Sequence, residues 1–324
     1  MSAAIIGALV LGLALLAGSF LALWLDRYRL KPLPWLIGLA AWSAVFPVLA
    51  RLLASTVGWP EPDLLLREPA LATAAEALAV GLLAGAAPVV VIASTRVTEG
   101  VIDGALFGLA GGVGLAVFLA LPIGPLHGAA TWGSALVASL ACAGAGATLG
   151  AGTGLGKLTL SPTRRPAGVA AAILASALQL GAFAIATSSC HRAWPDARLA
   201  CDLALAAVAA LALAAVLVSA ASIERRLLTR QLAEEVELGV LPAWTVEVLP
   251  SYLRRVRTDW WPRRDERQEI ARLLTALAFR KLQLLGLSAE RLRLYALEVG
   301  RLRHRARALL ALAPGSGAPT EPAE

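Results

Sequence analysis

The sequence predicts an all-α fold, a polytopic transmembrane helical bundle of about seven spans followed by a small helical cytoplasmic domain. Its 324 residues are 58% hydrophobic, and the mean hydropathy of +0.71 is well above that of soluble domains. The apolar residues fall in runs of about 20, the length that crosses roughly 30 Å of hydrocarbon. The basic residues concentrate near the C-terminal end, where 18 of the 29 follow Ile223.

Each predicted span is one of these apolar runs. They cover residues 3–25, 33–53, 70–94, 101–121, 129–153, 167–189 and 198–221. The first run lacks a cationic start and is followed by many others, so we expect a retained helix and not a cleaved signal peptide. The transmembrane domain is therefore predicted over residues 1–222.

The distribution of lysine and arginine predicts the orientation, because these residues accumulate in short cytoplasmic loops. With the N-terminus outside, seven basic residues lie in inner loops and four in outer loops. An odd number of spans then places the basic C-terminal domain inside. The sequence thus predicts a multi-pass protein of the cell inner (plasma) membrane, with the N-terminus outside and the C-terminus cytoplasmic.

The three cysteines offer neither zinc-finger spacing nor a disulfide framework. Cys142 lies within the fifth span and is interpreted as a small buried residue. Cys190 and Cys201 flank HRAWPDARLA, a loop assigned to the outside, where a disulfide could persist. The sequence leaves open whether these two cysteines pair or stay free.

The C-terminal domain is predicted over residues 223–310. Leucine and valine recur there at helical spacing among charges, and residues 264–285 and 288–310 read as two amphipathic helices that form a hairpin broken at Gly286. Residues 311–324 are too poor in bulky side chains to fold, so a disordered tail is predicted.

A basic and aromatic segment, SYLRRVRTDWWPRR, lies between the predicted membrane domain and this helical hairpin. Arginines attract anionic headgroups and tryptophan settles at the bilayer interface, so Arg254, Arg255, Arg257, Trp260 and Trp261 are predicted to contact the membrane surface. The alternative is an ordinary solvated helix surface. Nucleic acid is not expected as a partner, because the segment follows directly after a membrane domain.

Glycines recur every four residues in the fourth and fifth spans. Gly104, Gly108 and Gly112 form one such series, and Gly146 and Gly150 form the other. Small residues at this spacing let helix backbones approach closely in lipid, where no hydrophobic drive brings helices together. We therefore expect these two spans to cross each other through their glycine faces.

Three polar residues are candidates for chemistry. Glu76 lies within the third span, where an ionised carboxylate is unfavourable, so it is either functional or close to the interface. Asp103 is either functional or a first-turn residue that meets the positive end of a helix dipole. His127 lies in the connection between the fourth and fifth spans and is either functional or a loop histidine with no special role.

Several segments together resemble one known family. VIDGALFGLAGGVGLA resembles the segment of PrsW-type intramembrane proteases that begins with Asp-Gly and continues through glycines and small residues. PLHGAAT is similar to the proline-histidine-threonine motif that follows in that family. QLAEEVELGVLP and LLTALAFRKLQL are similar to the cytoplasmic extension of its longer members. The resemblance covers about residues 70–310.

The sequence departs from the family pattern at its polar positions. The family carries a Glu-Glu pair before the Asp-Gly segment, whereas here one register places Ala84–Pro88 on that pair and another keeps only Glu76. A later Glu-Asn of the family falls at Leu119 and Ala120. A second histidine falls near Gln179, and an amide neither titrates near neutrality nor binds metal well.

For the family, the resemblance implies cleavage of a peptide bond in or near the membrane, with glutamate acting on water and histidine assisting. That chemistry needs a carboxylate base, a polarising group and water access together. Because the pair and one histidine are missing, we favour a catalytically degenerate member that binds a membrane helix or partner without cleaving it. The alternatives are an active protease using Glu76, Asp103 and His127, and an unrelated membrane scaffold or transporter.

The predicted partners are the lipid bilayer and single-span membrane proteins. No cofactor is predicted, and a metal ion is considered only for the active alternative.

Overall fold

The computed structural model describes residues 33–56, 85–93, 100–120, 132–161, 163–251, 254, 264–284 and 289–311, and these residues contain no strand. The all-α class is therefore confirmed for this part of the chain. A 3₁₀ turn, Pro195–Ala197, joins two long helices, and residues 85–93 are also helical. The other helices are α1 (Leu33–Thr56), α2 (Val101–Ala120), α3 (Trp132–Thr159), α4 (Arg165–Ala193), α5 (Arg198–Glu237), α6 (Trp244–Val248), α7 (Arg264–Leu284) and α8 (Ala289–Ala311).

Three helical segments are long and apolar enough to cross a membrane, so the chain is described as a membrane protein. Two shorter apolar helices, Pro34–Leu49 and Val101–Val117, accompany them. The count of about seven spans stays a prediction, and the first predicted span, residues 3–25, lies outside the described residues. The three long segments are Gly133–Thr159, Arg165–Ala193 and Pro195–Glu237.

α2 is the central helix of the described bundle. From Val101 to Ala116 every residue except Ile102 is buried. α3 runs antiparallel along one side of α2, and α1 approaches another side so closely that a Cβ added to Gly114 would lie 2.0 Å from the Ala40 carbonyl oxygen. A helix surrounded in this way needs small residues on several faces, which explains why its glycines are not confined to one stripe.

α5 is a 40-residue helix, about 60 Å long at 1.5 Å per residue, so it extends well beyond a bilayer. It packs parallel to α3, since Asp202 contacts Gly133 near one end and Leu213 contacts Gly144 further along. α4 is peripheral by comparison, with Ala172 and Ser176 as its buried residues. The bundle is thus centred on α2, α3 and one stripe of α5.

The C-terminal helices continue the core of the bundle. α5 ends in a turn at Gly239, whose φ of 64° favours glycine. Beyond it, Ile270 and Leu274 of α7 belong to the same buried cluster as Leu232 of α5 and Leu158 of α3. The predicted break at Gly286 and the tail beyond residue 311 lie outside the described residues.

Candidate functional site

The N-terminus of α2 carries two buried carboxylates. Gly100 is the N-cap, since its carbonyl accepts the first helical bond from the Gly104 N–H at 3.2 Å. Asp103, in the first turn, accepts the Gly100 N–H through Oδ2 at 3.0 Å. Glu224 of α5 accepts the Ile102 N–H through Oε2, also at 3.0 Å. Two of the N–H groups that a helix leaves unpaired at its start therefore bond to acids.

Burial makes this arrangement an integral part of the bundle. Asp103 is 1% exposed and Glu224 is 6% exposed. A buried carboxylate is unfavourable unless it is hydrogen-bonded, and both receive backbone N–H groups at the positive end of the α2 dipole. Asp103 thus acts in the manner of a capping-box residue, and Glu224 fastens α5 to the start of α2.

The three catalytic candidates are only partly described. Glu76 and His127 lie outside the described residues. Asp103 and Ala120 stand near opposite ends of α2, about 25 Å apart along the helix axis. His127 follows Ala120 by seven residues in the sequence. Among the side chains that the structure does place, no group of three or more His, Cys, Asp or Glu residues could hold a metal ion.

Gln179 contacts a polar residue of α3. The Thr148 hydroxyl donates to Gln179 Oε1 at 2.8 Å and also lies 3.0 Å from the Gly144 carbonyl oxygen. A Cβ added to Gly144 would lie 2.8 Å from Gln179 Nε2, so glycine leaves the space that the amide uses. At this position the amide therefore joins α4 to α3.

α2 and α3 contact each other through their backbones. A Cβ added to Gly108 would lie 2.0 Å from the Gly146 carbonyl oxygen, and one added to Gly104 would lie 2.3 Å from that of Gly150. At Gly112 the corresponding distance, to the Cys142 carbonyl oxygen, is 2.1 Å. No Cβ fits at such distances, so this interface requires glycine.

The turn between α4 and α5 is fixed by two side-chain links. Cys190 and Cys201 form a disulfide with a Cα–Cα distance of 6.2 Å, which resolves the alternatives that the sequence left open. Beside it, His191 Nε2 lies 2.7 Å from Asp202 Oδ1. Asp202 is buried against Gly133, in the first turn of α3, where a Cβ would lie 2.8 Å from Oδ2.

A buried ion cluster joins α5, α7 and α8 outside the apolar segment. Arg303 of α8 donates to both oxygens of Glu235, at 2.8 and 2.6 Å. Lys281 of α7 lies 2.7 Å from Glu235. Burial alone would raise the pKa of Glu235, but the hydrogen bonds and charges of Arg303 and Lys281 outweigh it and hold that pKa below its usual 4.5.

Of the predicted membrane-surface residues, Arg254 is described. It is exposed, and its guanidinium lies 3.7 Å from Glu247. Arg255, Arg257, Trp260 and Trp261 lie outside the described residues.

Sequence reasoning did not single out Glu224, Asp202 or Glu235. Glu224 is the first charged residue after the apolar run of α5, and Asp202 is an acid within the start of that run. An ionisable residue beside or within a span is the signal that could have marked both. Glu235 resembles its exposed neighbours in sequence, so no local signal marked its burial.

In comparisons with known proteins, no family model, no curated protein and no solved structure matches this chain.

Proposed function

We propose that this chain is a catalytically degenerate, PrsW-like protein of the cell inner membrane that binds a membrane helix without cleaving it. The observation that carries the proposal is the hydrogen bonding of the Asp103 carboxylate at the start of α2. Its carboxylate is buried and accepts the N–H of the α2 N-cap residue, so it serves as a helix cap and does not face an open cavity.

The positions that depart from the family pattern support the same proposal. Gln179, where the family would place a second histidine, makes an interhelical hydrogen bond with Thr148. Asp103 is engaged in the first turn of α2, where its carboxylate accepts the Gly100 N–H. A base and an assisting group must come within about 3 Å of the reacting atoms, directly or through one water.

The outward face of α4 is the surface that we assign to the bound helix. Leu174, Leu178 and Ile185 share one face of α4 and are 60%, 65% and 69% exposed. α2 and α3, in contrast, are in backbone contact and leave no room between them. Lipid can also cover exposed leucine, so the feature of α4 that favours a helix is the pair Ala171 and Ala175, which are exposed and four residues apart. We therefore propose that a single-span partner packs beside α4.

We also propose that the N-terminus lies outside the membrane and the C-terminus inside. The Cys190–Cys201 disulfide supports it, since disulfides persist on the oxidising side of the membrane. An impermeant thiol reagent should label Cys190 from outside after reduction. Without reduction, the same reagent should leave the exposed thiol of an Ala243→Cys variant unlabelled, since this position follows α5 on the inner side. The reverse pattern would contradict the orientation.

A cleavage assay tests the degenerate function. Purified full-length protein in lipid is offered a panel of single-span helices, and fragments are compared with those of a Glu76→Gln, His127→Ala double variant. We expect no fragment specific to the wild type. Fragments that vanish with the double variant would establish an active protease instead.

Binding is tested in the same samples. A photoreactive residue at position 178 should crosslink to a helix of the panel, whereas one at position 211, where the native leucine of α5 is similarly exposed, should not. Equal crosslinking at the two positions, or none at position 178 with any helix, would contradict the proposed binding face.

A further inference from the structure

Three exposed arginines lie at one level of the bundle. Arg225 and Arg226 follow the apolar run of α5, and Arg164 immediately precedes α4. The disulfide fixes their register, because Arg226 follows Cys201 by 25 residues and Arg165 precedes Cys190 by 25. Both stretches are helical, so each covers about 37 Å.

This length places the arginines in a headgroup layer. The hydrocarbon core is about 30 Å thick, and the bilayer with its headgroups is about 40–45 Å thick. When the disulfide lies in one headgroup region, the arginines about 37 Å away lie in the other.

The C-terminal end of α3 brings the two arginine-bearing segments together. Leu158 belongs to one buried cluster with Ala220 and Leu228 of α5, on either side of Arg225 and Arg226. The Leu160 carbonyl accepts the Arg165 Nε at 3.3 Å. The arginines therefore form a rim around one helix end, which we call the arginine rim (Arg164, Arg225 and Arg226).

The charge of the arginine rim is not neutralised by the described part of the chain. Asp103 and Glu224 are the nearby acids that the structure places, and both are buried and bonded to α2 backbone N–H groups. The guanidinium groups of the rim make no ion pair with any residue that the structure places. Further along the chain, in contrast, arginines and lysines pair with acids, as Arg303 and Lys281 do with Glu235.

We propose that the arginine rim binds the headgroup phosphate of an anionic phospholipid. Guanidinium groups bind phosphate through paired, charge-assisted hydrogen bonds. The apolar surface beside the rim favours a lipid over free phosphate, because Val218 of α5, two turns from Arg226, is 69% exposed and can contact an acyl chain. This proposal does not depend on the function proposed above.

Lipid titration of the full-length protein tests this site. The protein in detergent micelles is titrated with phosphatidylglycerol or phosphatidylcholine, and binding is read from the unfolding temperature and by native mass spectrometry. Each arginine near an anionic surface strengthens binding about fivefold, so Arg225→Gln with Arg226→Gln should weaken phosphatidylglycerol binding about 25-fold.

A matched pair of arginines on α8 provides the control. Arg301 and Arg307 are also exposed and have no ion-pair partner in the described part of the chain. Arg301→Gln with Arg307→Gln removes the same charge and should leave phosphatidylglycerol binding unchanged. Should the glutamine variant of the rim fail to fold, Arg225→Lys with Arg226→Lys keeps the charge and should weaken binding several-fold, because lysine cannot make the paired bonds.

Three results would overturn the proposal. Equal weakening by the rim and α8 variants would indicate diffuse attraction to net charge. Equal binding of phosphatidylglycerol and phosphatidylcholine would show that the net charge of the headgroup does not determine binding. Equal stabilisation by inorganic phosphate at the same concentration would assign the rim to a free anion.

Discussion

The membrane bundle and the C-terminal helices are held together by different means. In the bundle, α2 and α3 meet through Gly104, Gly108 and Gly112, so closely that no side chain could stand between the backbones. At the C-terminal end of α5, α7 packs a leucine-rich face against the buried cluster. Glu235 of α5 forms ion pairs with Lys281 of α7 and Arg303 of α8. α5 belongs to both regions.

We attribute the difference to the surroundings that the sequence predicts for each region, lipid for the bundle and water for the C-terminal helices. In lipid, burying an apolar side chain gains nothing over leaving it in hydrocarbon, so close backbone packing and a few polar bonds must associate the helices. In water, burial of leucine is favourable and ion pairs orient the elements. Changes that fill space should therefore affect the bundle most, whereas changes in charge and pH should affect the C-terminal helices.

The largest effect is expected from one methyl group at Gly108. Gly108→Ala places a carbon 2.0 Å from the Gly146 carbonyl oxygen, so α2 and α3 must separate along their whole contact. We expect a loss of about 3 kcal/mol in the free energy of unfolding, at the upper end of the range for core overpacking. Unfolding in mixed detergent micelles measures it.

Gly181→Ala is the matched control. Gly181 lies in the peripheral helix α4, with nothing within 4 Å of an added Cβ. The same substitution there should be neutral or stabilising by up to about 1 kcal/mol, because alanine favours the helix. Equal losses at both glycines would mean that helix propensity, and not close contact, decides the stability.

Removing the Glu235 carboxylate should have the next largest effect. Glu235→Gln removes the carboxylate that Arg303 and Lys281 share, whereas Lys281 keeps its contact with Glu234 at 3.0 Å and Arg303 is partly exposed. We therefore expect a loss of about 2 kcal/mol, as for hydrogen bonds to a charged group. Hydrogen exchange in α7 and α8 would report the loss. Glu269→Gln removes an exposed partner of Arg305 and should cost less than about 1 kcal/mol.

The same carboxylate predicts a pH dependence. Because the folded-state pKa of Glu235 lies below its usual 4.5, its contribution is complete above about pH 4.5 and is lost as the pH falls toward the lower folded value. The attachment of α7 and α8 should therefore loosen in that acidic range in the wild type. If the Glu235→Gln variant kept the full pH dependence, other titratable groups would be its cause.

A smaller effect is expected at the polar contact between α3 and α4. Thr148→Val removes the hydroxyl that bonds Gln179 while keeping the shape of the side chain. Interhelical hydrogen bonds in membranes average about 0.6 kcal/mol, so the loss should be of that order. A loss of several kcal/mol, measured in the same micelle assay, would show that α4 depends on this bond and is not peripheral.

Sequence periodicity was sufficient to predict the structural features that repeat along a helix. The spacing of Gly104, Gly108 and Gly112 predicted a glycine face because helix geometry alone aligns every fourth residue. The apolar runs predicted helices close to those described, as residues 101–121 did for α2. At α5 a predicted span and a helix end at different residues, since the predicted span ends at 221 and the helix continues to Glu237; the end of an apolar run does not by itself end a helix.

Partners distant in the chain could not be predicted from the sequence. Glu224 bonds Ile102 across 122 residues, and Arg303 bonds Glu235 across 68. Local patterns carry no information on which helices are neighbours, so Asp103 could be read from sequence as either a functional acid or a cap. Its bond to Gly100 is visible only once the first turn of α2 is in place.

Hydrogen exchange in urea tests most directly the claim that the two regions are held by different means. The protein in lipid nanodiscs at fixed neutral pH is compared with and without urea, which solvates apolar and peptide groups in water but has little access to the bilayer core. We predict that the α7 amides lose protection at urea concentrations that leave the amides of α2 and α3 fully protected. Loss of protection in α2 and α3 together with α7, or before it, would contradict the account.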